Sequence, residues 1–436
     1  MQPFQDNTPK SIPCSEESKV LRLVANQSIE GLLQENPNLL VFPQCLDDCE
    51  DDLKAQFICS LHESVDSNGA RWMHIQPTNI VGYFGVGDTN ACVISRFSNT
   101  GGLDKDYFLH YLLQKALSVN IFNLEHSLSK DDQVFDFLML LFPGFFKQAL
   151  AQGLYKEYRG YARNDANVKG RIDVNRHLNL NAPFSGNVAY QSREISYDNN
   201  VTELIRHTIE FMRTRELGRA LLNADSDVAD YVRQISASTP AYSKKDRNRI
   251  IRANLKPAKH PYFTKYRSLQ NLCVRILRHE SIRYGEEQDK VHGILFDMSW
   301  LWEEYLATLL PEYTHPKNRK GTDAIYLGEN GALERYPDFY SGKVGGIVLD
   351  AKYKRDVDRN DEHQIIAYMY RLQSRYGGFL MPRIVAETTQ PTQLLGYSQQ
   401  IGKQYLVVPQ DAGTYDEFCS SIGQFENMFV GRIESL

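Results

Sequence analysis

The pattern of apolar positions changes twice along the chain. Between Val20 and Asn99 the apolar residues come in short β-type runs separated by turn residues, which predicts strands. From Lys105 to about Tyr158 they recur at spacings of three and four residues, which predicts amphipathic helices. Beyond residue 290 strand-like and helix-like segments alternate, as in a small mixed α/β core. The predicted fold class is α+β or mixed α/β, with a β-rich N-terminal domain, a helical middle region and a mixed C-terminal core.

One N-terminal segment, Ile80–Asp88, is rich in glycine. A glycine-rich loop can cradle phosphate, but this one lacks the Gly-Lys-Ser/Thr ending of a P-loop and the full dinucleotide-binding pattern. A strand followed by a turn is the favoured interpretation. Because Gly-x-x-x-x-Gly-Lys-Ser/Thr occurs nowhere in the chain, no nucleotide-hydrolysing module is predicted.

The stretch Arg335–Tyr353 places charged residues around a predicted β-hairpin. Turn residues precede the apolar run Ile347–Leu349, which is typical of a strand. Alternate side chains of a strand share a face, so Asp350 and Lys352 point the same way. The turn brings Asp338 back beside them. Two acids and a lysine are thus predicted to converge at the end of one strand.

This set of residues suits a metal-assisted reaction. Two carboxylates beside a backbone carbonyl form an oxygen-rich site of the kind that Mg²⁺ prefers. The metal would polarise a phosphodiester and help to generate hydroxide, while Lys352 would steady the attacking water or the developing negative charge. Asp-x-Lys at a strand end is also common in structural roles, so the neighbouring segments matter to the interpretation.

Two predicted helices flank the hairpin. Asp361–Tyr368 is typical of a helix start, and Gln364 and Tyr368, four residues apart, share one face of it. Upstream, Asp297–Leu306 has the apolar spacing of an amphipathic helix that carries acids.

The overall composition is that of a soluble globular protein. The 436 residues are 42% hydrophobic and 24% charged, with a formal net charge of −5, so any contact with nucleic acid must come from local patches. The seven cysteines are scattered without metal-ligand spacing and are expected to be free thiols in a reducing compartment. The N-terminus lacks a signal-peptide pattern and no run of 18 apolar residues occurs, which predicts a cytoplasmic protein that does not span a membrane.

The strongest basic cluster lies between Lys244 and Arg267, interleaved with aromatic residues. Such a cluster could contact phosphates and stack bases, and a solvated helix face and loop is an equal alternative. A smaller basic group precedes the hairpin and could flank a DNA path. The candidate DNA-binding residues are Lys256, Lys259, Lys265, Arg267, Arg319 and Lys320.

The order Pro-Asp, Asp-Ala-Lys and Gln-x-x-x-Tyr, preceded by a helix with an aromatic-Glu pair, resembles the PD-(D/E)XK nuclease signature. The Asp-Ala-Lys form of the motif and the helix ahead of it most resemble those of McrC, the nuclease subunit of McrBC-type restriction systems that cut modified DNA. Lys169–Asp173 and Glu194–Asn200 resemble segments that precede the nuclease domain in that family. The resemblance spans about residues 75 to 380 and is strongest in the nuclease core.

The resemblance implies roles for individual residues. Asp338 and Asp350 would be metal ligands, and Glu303 would complete the Mg²⁺ shell. Glu304 competes with Glu303, because adjacent helical side chains point about 100° apart and only one can face the site. Gln364 and Tyr368 would support the substrate or Lys352.

The resemblance also implies partners. Energy and sequence recognition would come from a McrB-like AAA+ GTPase hexamer, which binds the GTP that this chain does not. Double-stranded, modified DNA would be the substrate, and a homodimer through the nuclease domain is a further expectation. No membrane partner is expected.

Four segments are predicted along the chain. Residues 1–18 would be a flexible tail, and residues 19–150 a β-rich, then helical, partner-binding domain. Residues 151–285 would be a helical or linker region with the basic cluster, and residues 286–436 the PD-(D/E)XK endonuclease domain. The alternative to an endonuclease subunit is a non-cutting adaptor that regulates an AAA+ NTPase ring and binds DNA, since the first 285 residues exceed what a nuclease needs. A nuclease acting on unmodified DNA is a third interpretation.

Overall fold

The computed structural model describes residues 3–14, 19–36, 39–43, 53–87, 89–98, 106–117, 133–256, 260–284, 290–316, 324–343, 345–387, 389–396 and 398–436. The chain forms two compact units: unit 1 comprises Met1–Val134 together with Glu280–Leu436, and unit 2 comprises Phe135–His279. The described helices include none that is both long and apolar enough to cross a membrane.

Helices and strands of several sheets make up this mixed α and β structure. The strands are β1 Phe4–Gln5, β2 Lys10–Pro13, β3 Leu39–Phe42, β4 Cys59–Val65, β5 Arg71–Pro77, β6 Ile80–Val86, β7 Thr89–Ile94, β8 Glu157–Asp165, β9 Arg171–Ile172, β10 Val188–Ser196, β11 His292–Asp297, β12 Ile325–Tyr326, β13 Glu334–Arg335, β14 Phe339–Tyr340, β15 Ile347–Ala351, β16 Tyr376–Arg383, β17 Thr392–Gln393 and β18 Gln400–Val407. The α-helices are α1 Lys19–Val24, α2 Ile29–Glu35, α3 Tyr107–Leu117, α4 Gln133–Leu150, α5 Val174–Leu180, α6 Asn200–Met212, α7 Glu216–Asn223, α8 Ser226–Ser238, α9 Arg247–Ala253, α10 Tyr266–Tyr284, α11 Met298–Leu309, α12 Arg359–Leu372 and α13 Tyr415–Glu434.

The first sheet of unit 1 has the strand order β1-β7-β6-β11-β3. Its central strand β11 is buried along its whole length and pairs with β6 on one side and β3 on the other. The glycine-rich segment is strand β6, which confirms the predicted strand. Gly82 has a φ of +133°, and a Cβ there would lie 2.1 Å from the carbonyl oxygen of Ile294. Glycine therefore allows β6 and β11 to approach each other closely.

The strand pairing differs from two expectations, a flexible tail over residues 1–18 and a C-terminal domain that begins at residue 286. β1 pairs with β7 and β2 with β5, so short strands occupy the region predicted to be a flexible tail. β11, which was assigned to the C-terminal domain, lies between two N-terminal strands. The cause is pairing between distant segments, for which a local apolar pattern gives no signal.

A second five-stranded sheet of unit 1 has the order β14-β15-β16-β18-β17. β15, β16 and β18 are parallel, and α12 connects β15 to β16. The apolar face of α12 packs on this sheet through buried residues that include Ile365, Tyr368, Met369, Val348, Phe379 and Met381. This is a β-α-β arrangement in which the helix covers one face of the parallel strands.

Unit 2 combines helices with the three-stranded sheet β8-β10-β9. The middle region is helical over α5 to α10, as predicted, and the three strands are the part that the prediction of a helical region lacks. The residues of β8 are exposed or half-buried throughout and few are aliphatic, so the strand lacks the apolar alternation that predicts one. The predicted helical stretch up to about Tyr158 also ends early, with α4 at Leu150, before Gly153 adopts a φ of +91°.

Cys14, Cys59, Cys92, Cys273 and Cys419 are free thiols, as expected from their spacing. Cys45 and Cys49 lie outside the described residues.

Candidate active site

The predicted hairpin is present and positions the acidic residues. β14 and β15 are antiparallel, with Phe339 opposite Leu349 and Tyr340 opposite Val348. Gly345 takes a φ of +74° in the connecting turn, a conformation that favours glycine. Asp338 precedes β14, and its Oδ2 accepts a 2.6 Å hydrogen bond from the backbone nitrogen of Ala351. The first acid is thereby held against the end of the strand that carries the second.

Asp350 and Lys352 form a buried ion pair at the end of β15. Asp350 is 1% exposed, and its Oδ2 lies 2.7 Å from Lys352 Nζ. Burial raises the pKa of Asp350, and the charge of Lys352 offsets part of that effect. Burial alone would lower the pKa of Lys352, but the charges of Asp350, Asp338 and Asp361 raise it above its ordinary value. Lys352 is therefore a fixed cation and not a base at neutral pH.

Helix α12 brings Gln364 to this cation directly and Tyr368 through Gln364. Lys352 Nζ donates a 3.0 Å hydrogen bond to Gln364 Oε1, and Gln364 Nε2 donates at 2.9 Å to the hydroxyl of Tyr368. That hydroxyl donates in turn to the carbonyl oxygen of Tyr336 at 3.1 Å. Burial, with the nearby charges of Asp350 and Asp338, raises the pKa of Tyr368, so its hydroxyl stays protonated. A chain of hydrogen bonds thus orients Lys352 from the helix.

Asp361 is the residue that sequence reasoning missed. It is 6% exposed, with Oδ1 3.5 Å from Lys352 Nζ and Oδ2 2.6 Å from Lys354 Nζ. The same residue is the N3 position of a capping box with Asp358, which accounts for an acid in the first turn of α12. A capping acid looks the same in sequence whether or not it also contacts a lysine of the candidate site. The buried position alone distinguishes the two roles.

Glu303 lies on α11 and is linked to the hairpin by His315. Glu303 Oε1 is 3.8 Å from His315 Nδ1, and His315 Nδ1 donates a 2.8 Å hydrogen bond to the carbonyl oxygen of Asp338. The His315 ring also stacks on Phe339 at 4.8 Å. The structure thus brings Glu303 to the residue that supports Asp338, and Glu304 is half-buried on the same helix.

The donor chemistry of the site fits a hard cation held by two carboxylates. Asp350 Oδ2 is a buried carboxylate oxygen whose contact is the ion pair with Lys352, without a hydrogen bond among the described residues. Mg²⁺ is commonly held by one or two carboxylates and keeps several waters. The described ranges contain no group of three His, Cys, Asp or Glu side chains arranged to hold a metal. Asp338 and Asp350 are therefore the candidate ligands in this arrangement, whereas Glu303 contacts His315, which bonds the carbonyl oxygen of Asp338.

The candidate DNA-binding residues fall into two groups. Lys256, Lys265 and Arg267 are exposed in unit 2, whereas Lys259, Arg319 and Lys320 lie outside the described residues. Of the aromatic residues interleaved with the basic cluster, Tyr262 is 64% exposed, but Phe263 and Tyr266 are buried. The two buried rings pack against Tyr155 at centroid distances of 5.1 and 5.3 Å, so they are core residues and not stacking platforms.

A protein-family model matches residues 75–381, well over half of the chain. The model describes a class of restriction-system components. The chain belongs to this family, whose description is McrBC 5-methylcytosine restriction system component.

Two solved structures resemble the chain. One is the refined half-complex from a tetradecameric assembly of Thermococcus gammatolerans McrB AAA+ hexamers with bound McrC, with a TM-score of 0.46, 13% identity and coverage of 97% of this chain and 99% of that chain. The other is the cryo-EM structure of the Thermococcus gammatolerans McrBC complex, with a TM-score of 0.35, 11% identity and coverage of 71% and 86%. Both similarities are weak, so the family assignment rests on the family match. Among proteins with curated descriptions, none matches the chain.

Proposed function

We propose that this chain is a McrC-like endonuclease subunit that hydrolyses phosphodiesters of modified double-stranded DNA with Mg²⁺. Its partner would be a McrB-like AAA+ GTPase hexamer, which binds GTP and whose hydrolysis this chain stimulates. The family assignment supports membership of such a restriction system. The single observation that carries the nuclease activity is the convergence of Asp338, Asp350 and Lys352 at the end of β15.

The site residues have separate roles in the proposed reaction. The chemistry that Mg²⁺ supplies when held by Asp338 and Asp350 is polarisation of the phosphodiester and easier deprotonation of water. Lys352, a fixed cation, stabilises the negative charge that develops on the phosphate during attack. Gln364 and Tyr368 keep Lys352 oriented, since its ammonium donates to Gln364 and Gln364 donates to the tyrosine hydroxyl. His363 is exposed on the same helix and is not needed as a base.

Asp338 has a second role within the chain. Its carboxylate accepts from the nitrogen of Ala351, the residue between Asp350 and Lys352. Because His315 holds the carbonyl of Asp338 at the same time, both ends of this residue are fixed. The site is therefore preorganised by hydrogen bonds, as catalysis by electrostatic stabilisation requires.

The adaptor function is the second candidate. Unit 2 is a compact unit of its own and contains none of Asp338, Asp350 and Lys352. A unit without catalytic residues is what docking on an NTPase ring would use. The two functions are compatible within one chain.

The test uses plasmid DNA with and without C5-methylcytosine, incubated with the chain, Mg²⁺ and GTP, with and without a McrB-type partner. We expect cleavage of the methylated plasmid that depends on the partner. The Asp338→Asn variant keeps an oxygen for the Ala351 nitrogen but loses the charge, and we expect it not to cut. Absence of cleavage by the parental protein, together with stimulated GTP hydrolysis, would instead support the adaptor. Equal cleavage of both plasmids would limit the proposal to a nuclease without selectivity for modification.

A further inference from the structure

A second buried polar network lies directly behind the candidate active site. Tyr353, the residue after Lys352, is 2% exposed and is surrounded by three consecutive residues that follow β7. Ser95 Oγ lies 2.8 Å from the Tyr353 hydroxyl, and the Phe97 ring meets the tyrosine ring edge-on at 5.2 Å. The guanidinium carbon of Arg96 lies 4.7 Å from the centre of the same ring. The segment that follows β7 thus encloses the residue next to the catalytic lysine.

Arg96 also forms a hydrogen bond with the backbone at this point. Its Nη2 donates a 2.9 Å hydrogen bond to the carbonyl oxygen of Tyr353. The backbone nitrogen of Lys352 itself donates a 2.9 Å hydrogen bond to the carbonyl oxygen of Leu380. The chain leaves the sheet between these two anchors. The hydrogen bonds to Leu380 and to Arg96 therefore fix the backbone on both sides of the Lys352 side chain.

The same guanidinium reaches the helix that carries Glu303. Arg96 Nη2 donates to Asn79 Oδ1 at 2.6 Å, and Asn79 Nδ2 donates to Ser299 Oγ at 3.2 Å in the first turn of α11. The carbonyl oxygen of Asn79 accepts from the backbone nitrogen of Met298 at 3.0 Å. Arg96, which follows β7, is thus connected to two of the elements that bear candidate site residues, the end of β15 and α11.

Two buried acids hold this segment in turn, Asp6 at Arg96 and Asp106 at Ser95. Asp6 Oδ1 accepts a 2.5 Å hydrogen bond from the Arg96 backbone nitrogen, and Asp6 Oδ2 lies 3.3 Å from Arg96 Nε. Asp106 Oδ2 accepts from the Ser95 nitrogen at 2.7 Å. Asp6 and Asp106 are both fully buried. Burying such a set of ionisable groups is costly, and an apolar cluster of similar volume would pack the same space at no such cost.

We propose that Arg96 is a positioning residue for Lys352, acting through the Tyr353 carbonyl oxygen that its guanidinium binds. The inference rests on the proposed nuclease function and extends it. The segment that follows β7 then takes part in the proposed activity, because it holds the catalytic lysine in place. A change of about 1 Å in such a position can cost about 100-fold in rate.

The test compares Arg96→Gln and Arg96→Lys with the wild type in the full chain, assembled with the McrB-type partner on methylated plasmid. Arg22→Gln is the matched control, since Arg22 belongs to the same unit but pairs with Glu63 at the surface. For each protein, the cleavage rate at saturating DNA, the DNA concentration at half-maximal rate, the partner's GTP hydrolysis and the unfolding midpoint are measured. Asp350→Asn is included to report on the nuclease function itself.

We expect Arg96→Gln to lower the saturated cleavage rate about 30-fold, because the carbonyl anchor is lost. The half-maximal DNA concentration and GTP hydrolysis should stay within about twofold, since neither depends on Lys352. Arg96→Lys keeps one donor for the carbonyl and should recover part of the rate, to about fivefold below wild type. Arg22→Gln should cut like the wild type within about twofold.

When Arg96→Gln folds, two results for the Arg96 variants would overturn the proposal. Either Arg96→Gln cuts at the wild-type rate, or Arg96→Lys matches Arg96→Gln and both lose activity only in step with a lower unfolding midpoint. If Arg96→Gln does not fold, Arg96→Lys decides alone: a lower saturated rate at an unchanged midpoint supports the proposal, and an unchanged rate overturns it. A wild type that does not cut would refute the nuclease function, and the positioning role with it. Normal cutting by the wild type with loss in Asp350→Asn confines any failure to Arg96.

Discussion

The candidate site of unit 1 and the surface ion pairs of unit 2 hold their charges in different ways. In unit 1, Asp350 and Asp361 are nearly fully buried and share Lys352 between them. In unit 2, many ion pairs lie nearer the surface, such as that of Arg163 with Glu194, whose side chains are 43% and 39% exposed. Exposed pairs contribute little to stability, whereas buried charges are costly unless each is paired. The buried network of Asp350, Asp361 and Lys352 is therefore the part of unit 1 to which we assign the proposed chemistry.

The removal of the central cation gives the largest expected effect. We expect Lys352→Ala to lower the cleavage rate about 1000-fold, because the charge that stabilises the transition state is lost. Lys354→Ala is the matched control, since Lys354 contacts Asp358 and Asp361 but not Asp350 in the pairs that the structure shows. Single-turnover cleavage with the partner present measures both. A Lys354→Ala variant as inactive as Lys352→Ala would show that the two lysines do not have different roles.

Asp361 provides the next test, because it is the buried acid on α12. Asp361→Asn removes the charge opposite Lys352 and Lys354 while it keeps an acceptor for the Asp358 nitrogen. Loss of a supporting partner of this kind costs about 10- to 100-fold in rate. Glu362→Gln removes an exposed acid from the neighbouring position and should have little effect. Equal rates for the Asp361 variant and the wild type would show that Asp361 only caps the helix.

Gln364 should have a smaller effect, since it orients Lys352 without contributing charge. We expect Gln364→Ala to lower the cleavage rate about tenfold and to leave DNA affinity unchanged. His363→Ala is the control on the same turn, because His363 is exposed. If the His363 variant were the slower of the two, the assignment of these neighbouring residues would be reversed.

The smallest expected effect belongs to the basic surface of unit 2. Lys265 and Arg267 are exposed, so replacing both with glutamine should weaken DNA binding roughly threefold and lower the salt dependence of binding. The saturated cleavage rate should not change, because unit 2 contains none of the site residues. Arg219→Gln removes an exposed charge of the same unit outside the cluster and serves as control. Equal salt dependence for both variants would mean that the cluster is a solvated face.

Local patterns explain why much of the site could be predicted. The hairpin has a turn, an apolar run and alternating charged residues within a short stretch, and the structure shows the expected strand pairing. Gln364 and Tyr368 share a helix face, and a hydrogen bond joins their side chains as that spacing suggests. Residue spacing along one strand or helix fixes these relations, so the sequence alone contains them.

The rest depends on contacts between distant segments. Arg96 binds a carbonyl oxygen 257 positions further along the chain, and β11 lies among strands from the first hundred residues. Neither contact leaves a local pattern. The sheet of unit 2 was missed for another reason, since β8 has no buried residues and therefore no apolar alternation. Asp361 was missed because its capping role explains it completely at the level of sequence.

The most direct test of the central claim compares the wild type with Asp350→Asn, each assembled with a McrB-type partner, Mg²⁺ and C5-methylated plasmid. DNA cleavage and GTP hydrolysis are followed in the same reaction. The buried carboxylate next to Lys352 predicts that the variant loses cleavage about 1000-fold while GTP hydrolysis stays within about twofold of wild type. Cleavage by the variant at the wild-type rate would contradict the assignment of the active site to the end of β15.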